Sequence, residues 1–103
     1  MDYKVVLSTS ARADLRDIVR YISFDAPDRA LEFGLFLVSR TRLLMQSPQL
    51  GRIVPEFEDA FIREIVVRSY RVVYRLDDSR HVVEVIRFWH AARGTPQVSS
   101  PTD

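Results

Sequence analysis

Between Phe61 and Arg93 the chain reads FIREIVVRSYRVVYRLDDSRHVVEVIRFWHAAR, two β-rich runs that carry seven arginines and close on a histidine and an arginine. Arginine offers a planar, weakly hydrated fork of donors that matches phosphate. A histidine such as His90 can give or accept a proton near neutral pH. The chemistry open to this run is therefore anion binding, phosphate above all, with proton transfer available at its end. From Tyr70 to Leu76 the residues alternate, with Tyr70, Val72, Tyr74 and Leu76 on one side and Arg71, Val73 and Arg75 on the other. If the first set faces a core, Arg71 and Arg75 point to the open side. The structural alternative for these arginines is ion pairing with Glu64, Glu84 or Asp77, and for His90 a bond to the neighbouring loop.

The formal net charge is only +1, and its distribution says more than its sum. Residues 1–59 hold eight basic and nine acidic side chains, whereas residues 60–93 hold seven arginines against Glu64, Asp77, Asp78 and Glu84. Lys4 is the one lysine among 15 basic residues, a bias that genomic base composition alone can produce. A chain of 103 residues fits one domain, which buries about 60 to 65% of its unfolded surface and is modestly stable. With no cysteine, disulfides and thiolate metal sites are excluded; two histidines, His81 and His90, argue against an all-protein zinc site. No cofactor is expected. No apolar run approaches the roughly 18 to 20 residues of a membrane span, and MDYKVVLSTS lacks the basic-then-apolar order of a signal peptide. The expectation is a cytoplasmic protein without membrane contact.

The elements that must position the arginine-rich run follow from periodicity. Tyr3 to Leu7 is β-prone and reads as a first strand. Thr9 and Ser10 can cap a helix from near Ala11 to about Phe24, with Leu15, Ile18, Val19 and Ile22 on one face. A second helix is predicted from Pro27 to Gln46; it is apolar on several sides through Leu31, Leu35, Phe36 and Val38, and Gly34 marks close contact with the first helix. Gln49 to Ala60 reads as a loop. Strands are predicted over Ile62–Arg68, Tyr70–Leu76 and His81–Trp89, the last with two equally apolar faces that periodicity cannot orient. The fold class expected is α+β: a strand, a helical hairpin, then a three-stranded antiparallel meander with the helices on one sheet face. Residues 1–93 form the domain, and 94–103 (GTPQVSSPTD) a flexible tail.

The phrases Ser69-Tyr70-Arg71-Val72-Val73-Tyr74-Arg75 and Phe88-Trp89-His90-Ala91-Ala92-Arg93 resemble the signature of the RelE/ParE toxins of bacterial type II toxin–antitoxin modules, over roughly residues 3 to 93. The resemblance implies a first strand that joins the sheet beside the last one. It implies a growth inhibitor neutralised by a cognate ParD/RelB-like antitoxin from the adjacent gene, in a hetero-oligomeric complex. The contact would lie on the apolar surface of the helical hairpin or at a sheet edge. The first target implied is DNA gyrase, as in ParE-like plasmid stabilisation proteins. The alternatives are ribosome-dependent, metal-independent mRNA cleavage and an inactive relative. For cleavage the resemblance gives three roles: Glu56 as base toward a ribose 2′-hydroxyl, Arg71 on the phosphate oxygens, and His90 as acid toward the leaving 5′-oxygen. Arg93 would add a phosphate contact and Trp89 a stacking surface, the favoured alternative for Trp89 being a place in the core, with Arg68, Arg75 and Arg87 completing the candidate phosphate or target contacts. The chain departs from RelE in lacking lysines on the strand before the Tyr-Arg phrase and a tyrosine after Arg93.

Overall fold

Ser8 opens the first helix, its hydroxyl accepting the Ala11 N–H at 3.0 Å. The cap therefore sits just before the expected Thr9 and Ser10, which are already helical. In the computed structural model, which describes residues 2–98, the chain runs as β1 (Lys4–Leu7), α1 (Thr9–Ser23) and α2 (Pro27–Thr41), followed by a 3-10 turn (Arg42–Met45). Then come β2 (Arg52–Ile53), β3 (Ile62–Val67), β4 (Tyr70–Asp77), β5 (Val82–His90) and a second 3-10 turn (Ala91–Arg93). Pro27 stands in the first turn of α2, where its missing N–H is not needed. The helix gives way to the tighter turn at Arg42, short of the expected Gln46. A Cβ on Gly34 would lie 2.7 Å from Val19 Cγ2, so the absent side chain lets α1 and α2 close on each other.

The five strands form one sheet in the order β1-β5-β4-β3-β2, with β1 parallel to β5 and the other pairs antiparallel. This is the α+β arrangement expected, with one strand added. β2 lies inside the predicted loop, pairing Arg52 with Glu64 and Ile53 with Arg63. Two residues are too few for an alternation to register in the sequence. The helices cover one sheet face, where Leu37, Leu44, Val72, Tyr74, Val83, Val85 and Phe88 form the main core.

β5 changes phase midway, and this explains its two equally apolar faces. Val73 pairs with Arg87 and Tyr74 with Val85, so Ile86 is an extra residue, a bulge. Val83 and Val85 face the helices before it and Phe88 after it, while Ile86 falls on the second face. That second face carries a smaller cluster, Val54, Ile62, Val73 and Ile86, with Phe57 and Val98 packed against it. Residues 94–98, expected to be a flexible tail, lie across this face with Pro96 buried; the rest of that expected tail, 99–103, lies outside the described residues.

At the β1 edge the pairing stops at Leu7 and Val85, while β5 continues to His90. Beyond that point Ser8 Oγ donates to the Ile86 carbonyl at 3.1 Å. The Asp14 carboxylate on α1 accepts the Phe88 N–H at 2.9 Å, in the place a strand would occupy.

Candidate target-binding site

Alternation along β4 sends Arg71 to the second sheet face, as read from the sequence, but it arrives there buried, only 8% exposed. Glu64 on β3 comes to the same face because it pairs with Val73. Arg71 Nε donates to Glu64 Oε1 at 2.6 Å and Nη2 to Oε2 at 3.2 Å. Glu56, from the segment after β2, takes Nη1 at 2.8 Å and Nη2 at 2.7 Å. The remaining Nη1 hydrogen goes to the Gly94 carbonyl at 3.1 Å. All five guanidinium N–H groups are thereby engaged, two of the three partners being carboxylates held side-on. Arg52 adds a bond from Nε to Glu64 at 2.8 Å.

Electrostatics follow from this packing. The bond to the Arg71 guanidinium, helped by Coulomb attraction from Arg71 and Arg52, lowers the Glu56 carboxyl to about 2. Its two carboxylates raise Arg71 further above the ordinary arginine range. A carboxylate so stabilised is a weak base for a ribose hydroxyl. Arg71 was expected to meet phosphate; here Glu56 and Glu64 occupy the positions that phosphate oxygens would take.

Arg87 and Trp89 share this face. Arg87 grips Asp14 with Nε and Nη2, both at 2.8 Å, and gives Nη1 to the Gln97 carbonyl at 2.8 Å. The Trp89 ring is 2% exposed, its Nε1 donates to the Gly94 carbonyl at 3.1 Å, and the guanidiniums of Arg93 and Arg87 lie 3.8 and 4.7 Å from its ring. Trp89 is thus a covered core residue, the reading favoured for it over a stacking surface for a base.

His90 lies on the other side of the sheet. It pairs in register with Tyr70, and the two rings meet edge to face at 5.1 Å, on the helix-covered side. Its Nδ1 accepts the Ala92 N–H at 3.1 Å, so the proton of a neutral ring sits on Nε2. Glu56 and Arg71 are therefore together and His90 is apart. Arg68, in the β3–β4 turn at φ 54, stacks over Phe36 at 4.8 Å, also on the helix side. Arg75 pairs with Glu84 at 3.1 Å.

Asp14 is the buried ion-pairing residue of this region that periodicity missed. It is buried at 9% exposure and holds both Arg87 and the Phe88 N–H. The one signal in the sequence is an aspartate on the helix between Ala11 and Ile18, both of which are buried.

A different surface is apolar and open. α1 and α2 leave between their outer sides a groove of about 610 Å³ lined by Leu15, Val19, Gly34, Leu35 and Val38, with Leu31 at its rim. Leu31 and Leu35 are 64% and 62% exposed. A groove of this kind takes the apolar face of a helix.

Known proteins resemble this arrangement. The family model of the ParE toxin of type II toxin–antitoxin systems, parDE, matches residues 5–94. No curated protein matches the chain. Among solved structures, a chain of the chromosomal ParDE system from P. aeruginosa is similar at TM-score 0.73 and 19% identity, over 85% of this chain and 95% of that one. A mutant of the E. coli toxin RelE in the free state is similar at TM-score 0.65 and 22% identity, over 91% and 88%. A chain of the toxin–antitoxin complex RelBE2 from Mycobacterium tuberculosis is similar at TM-score 0.56 and 24% identity, over 87% and 92%. At these identities the likeness is one of fold.

Proposed function

This chain belongs to the ParE toxin family of type II toxin–antitoxin systems, and on that premise we propose that it arrests growth by binding DNA gyrase in the cytoplasm, without cutting RNA. The observation that carries the choice of target is the separation of the groups that hydrolysis would need. Glu56 is fixed on Arg71 on one sheet face, and His90 stands against Tyr70 on the other. An acid and a base that work on one phosphodiester must reach the same group within hydrogen-bond distance. Binding to a protein target makes no such demand. The exposed arginine in the turn after the last strand, Arg93, and the turn residue Arg68 supply cationic contacts for it.

The partner that restrains the toxin is an antitoxin encoded beside it. Its amphipathic segment lies in the groove between α1 and α2, where Leu31 and Leu35 are left uncovered. Burial of each such leucine contributes about 1.5 to 3 kcal/mol. One structural relative, RelBE2, is named as a toxin–antitoxin complex and another comes from the ParDE toxin–antitoxin system, which supports this assignment.

Induction of the chain alone in a bacterial host tests the target. Gyrase-linked DNA breaks with an SOS response, intact transcripts, and undiminished toxicity of Glu56→Gln and His90→Gln are the expected outcome. Transcripts cut within ribosome-bound codons, with cleavage lowered about 10²-fold or more by either substitution, would replace gyrase binding by ribosome-dependent RNA cleavage.

A further inference from the structure

We infer that residues 94–98 form a latched strap that covers the second sheet face, and that Arg71, Arg87 and Trp89 become accessible to another molecule only when it lifts. The strap is held by its main chain. Gly94 O accepts from both Arg71 Nη1 and Trp89 Nε1 at 3.1 Å, and Gln97 O accepts from Arg87 Nη1 at 2.8 Å. Between these points Pro96 is buried, and beyond them Val98 packs on Val54, Ile62, Val73 and Ile86. Donors from three side chains thus read two carbonyls of one short segment, while an apolar cluster takes its end. Such a strip recognises peptide backbone, and its occupant is the chain's own next segment.

Entry into the strap depends on Gly94. Its φ of 81° with ψ of −136° lies in a region that only glycine enters without strain, and an added Cβ there would touch nothing within 4 Å. A substitution at Gly94 therefore acts on the backbone alone. Release also leaves the sheet intact, because Arg71 keeps its four bonds to Glu56 and Glu64. A segment fastened by few bonds at the end of a domain opens locally well before the fold does.

Two readouts on the full-length chain test the strap without any target, so they stand or fall apart from the gyrase assignment. Trp89 is the only tryptophan, and its emission reports the bond to Gly94. Trypsin can cut the Arg93–Gly94 bond only when that segment is loose. In the wild type, cleavage there should be at least about tenfold slower than in the denatured chain, since protection follows the population of the open form. Val98→Asp should remove that protection and shift Trp89 emission to the red, with cleavage at Arg16 and Arg20 in α1 unchanged. Gly94→Ala should produce the same red shift. Wild-type cleavage at Arg93 as fast as in the denatured chain would overturn the strap, as would a Val98→Asp chain that keeps both signals. Protection that rises with protein concentration would overturn the intramolecular closure, because the segment would then lie on a second copy.

Discussion

The two faces of the sheet are built by different means. The helix side is closed by regular elements with side chains such as Leu37, Tyr74, Val85 and Phe88 interlocked and almost no polar group among them. The second side has a smaller apolar cluster, Val54, Ile62, Val73 and Ile86, and irregular chain covers it: the segment around Glu56 and Phe57 and the strap 94–98. Segments without a repeating apolar stripe cannot be held by packing alone. A multivalent cation can hold them, and Arg71 does so by joining Glu56, Glu64 and Gly94 at one point. The arginine that the family resemblance offers as a phosphate contact is, in the fold, the fastening of this face.

Three measurements can break or sharpen that contrast. The largest effect is expected at the centre of the hub. Arg71→Ala would leave Glu64, 1% exposed, with Arg52 as its one remaining ion-pair partner. Breaking a buried pair in this way costs about 3 to 5 kcal/mol, visible as a lower midpoint in urea unfolding. A loss below about 1 kcal/mol would mean that packing, not the hub, holds the second face.

An intermediate effect, on binding and not on stability, is expected on the helix side. Leu35→Asp changes a residue that is 62% exposed, so unfolding should move by no more than about 0.5 kcal/mol. A carboxylate in the apolar groove should weaken the antitoxin by about 10²-fold in a calorimetric titration. Unchanged affinity would place the antitoxin elsewhere, at a sheet edge.

The smallest effect concerns pH. Glu56 is lowered from an ordinary 4.5 to about 2 by its bond to Arg71. A depressed carboxyl adds stability that is complete above about 4.5 and is lost as pH falls toward about 2. Because Glu56 is an exposed residue whose side chain keeps 30% of its surface in solvent, screening leaves on the order of 1 kcal/mol. Thermal melts of the wild type should lose that increment between those two pH values, and Glu56→Gln should be flatter over the same range. Parallel curves would show that the Glu56–Arg71 bond adds nothing to the fold.

Much of this architecture is legible in the sequence because it is periodic. The alternation of Tyr70 to Leu76 orients β4 correctly, and Gly34 marks the contact between helices. What periodicity cannot give are features set by single residues or by register. The bulge at Ile86 moves Arg87 and Trp89 to the face of Arg71 and leaves His90 on the opposite one. The sequence shows it only as two equally apolar faces of β5, and so the three residues that the family resemblance groups as one catalytic set come out divided. The closure of Arg71 by Glu56 is equally hidden, since it depends on how the segment after β2 folds across 15 positions of chain. Asp14 is recognisable only once β1 is known to stop at Leu7.

That early stop has a consequence for how molecules of this chain meet one another. A β-strand with an unpaired side is a template for another strand, and exposed edges invite aggregation. β5 runs on past its parallel neighbour, yet its outward side there is closed from within: Ser8 caps the Ile86 carbonyl and Asp14 takes the Phe88 N–H. Phe88 has no donor left for a passing strand, and Arg87 lies over the same carboxylate as a charged guard. The helix thereby defends the longest strand among the described residues against self-association, at a border where a longer β1 would only have moved the exposed edge outward.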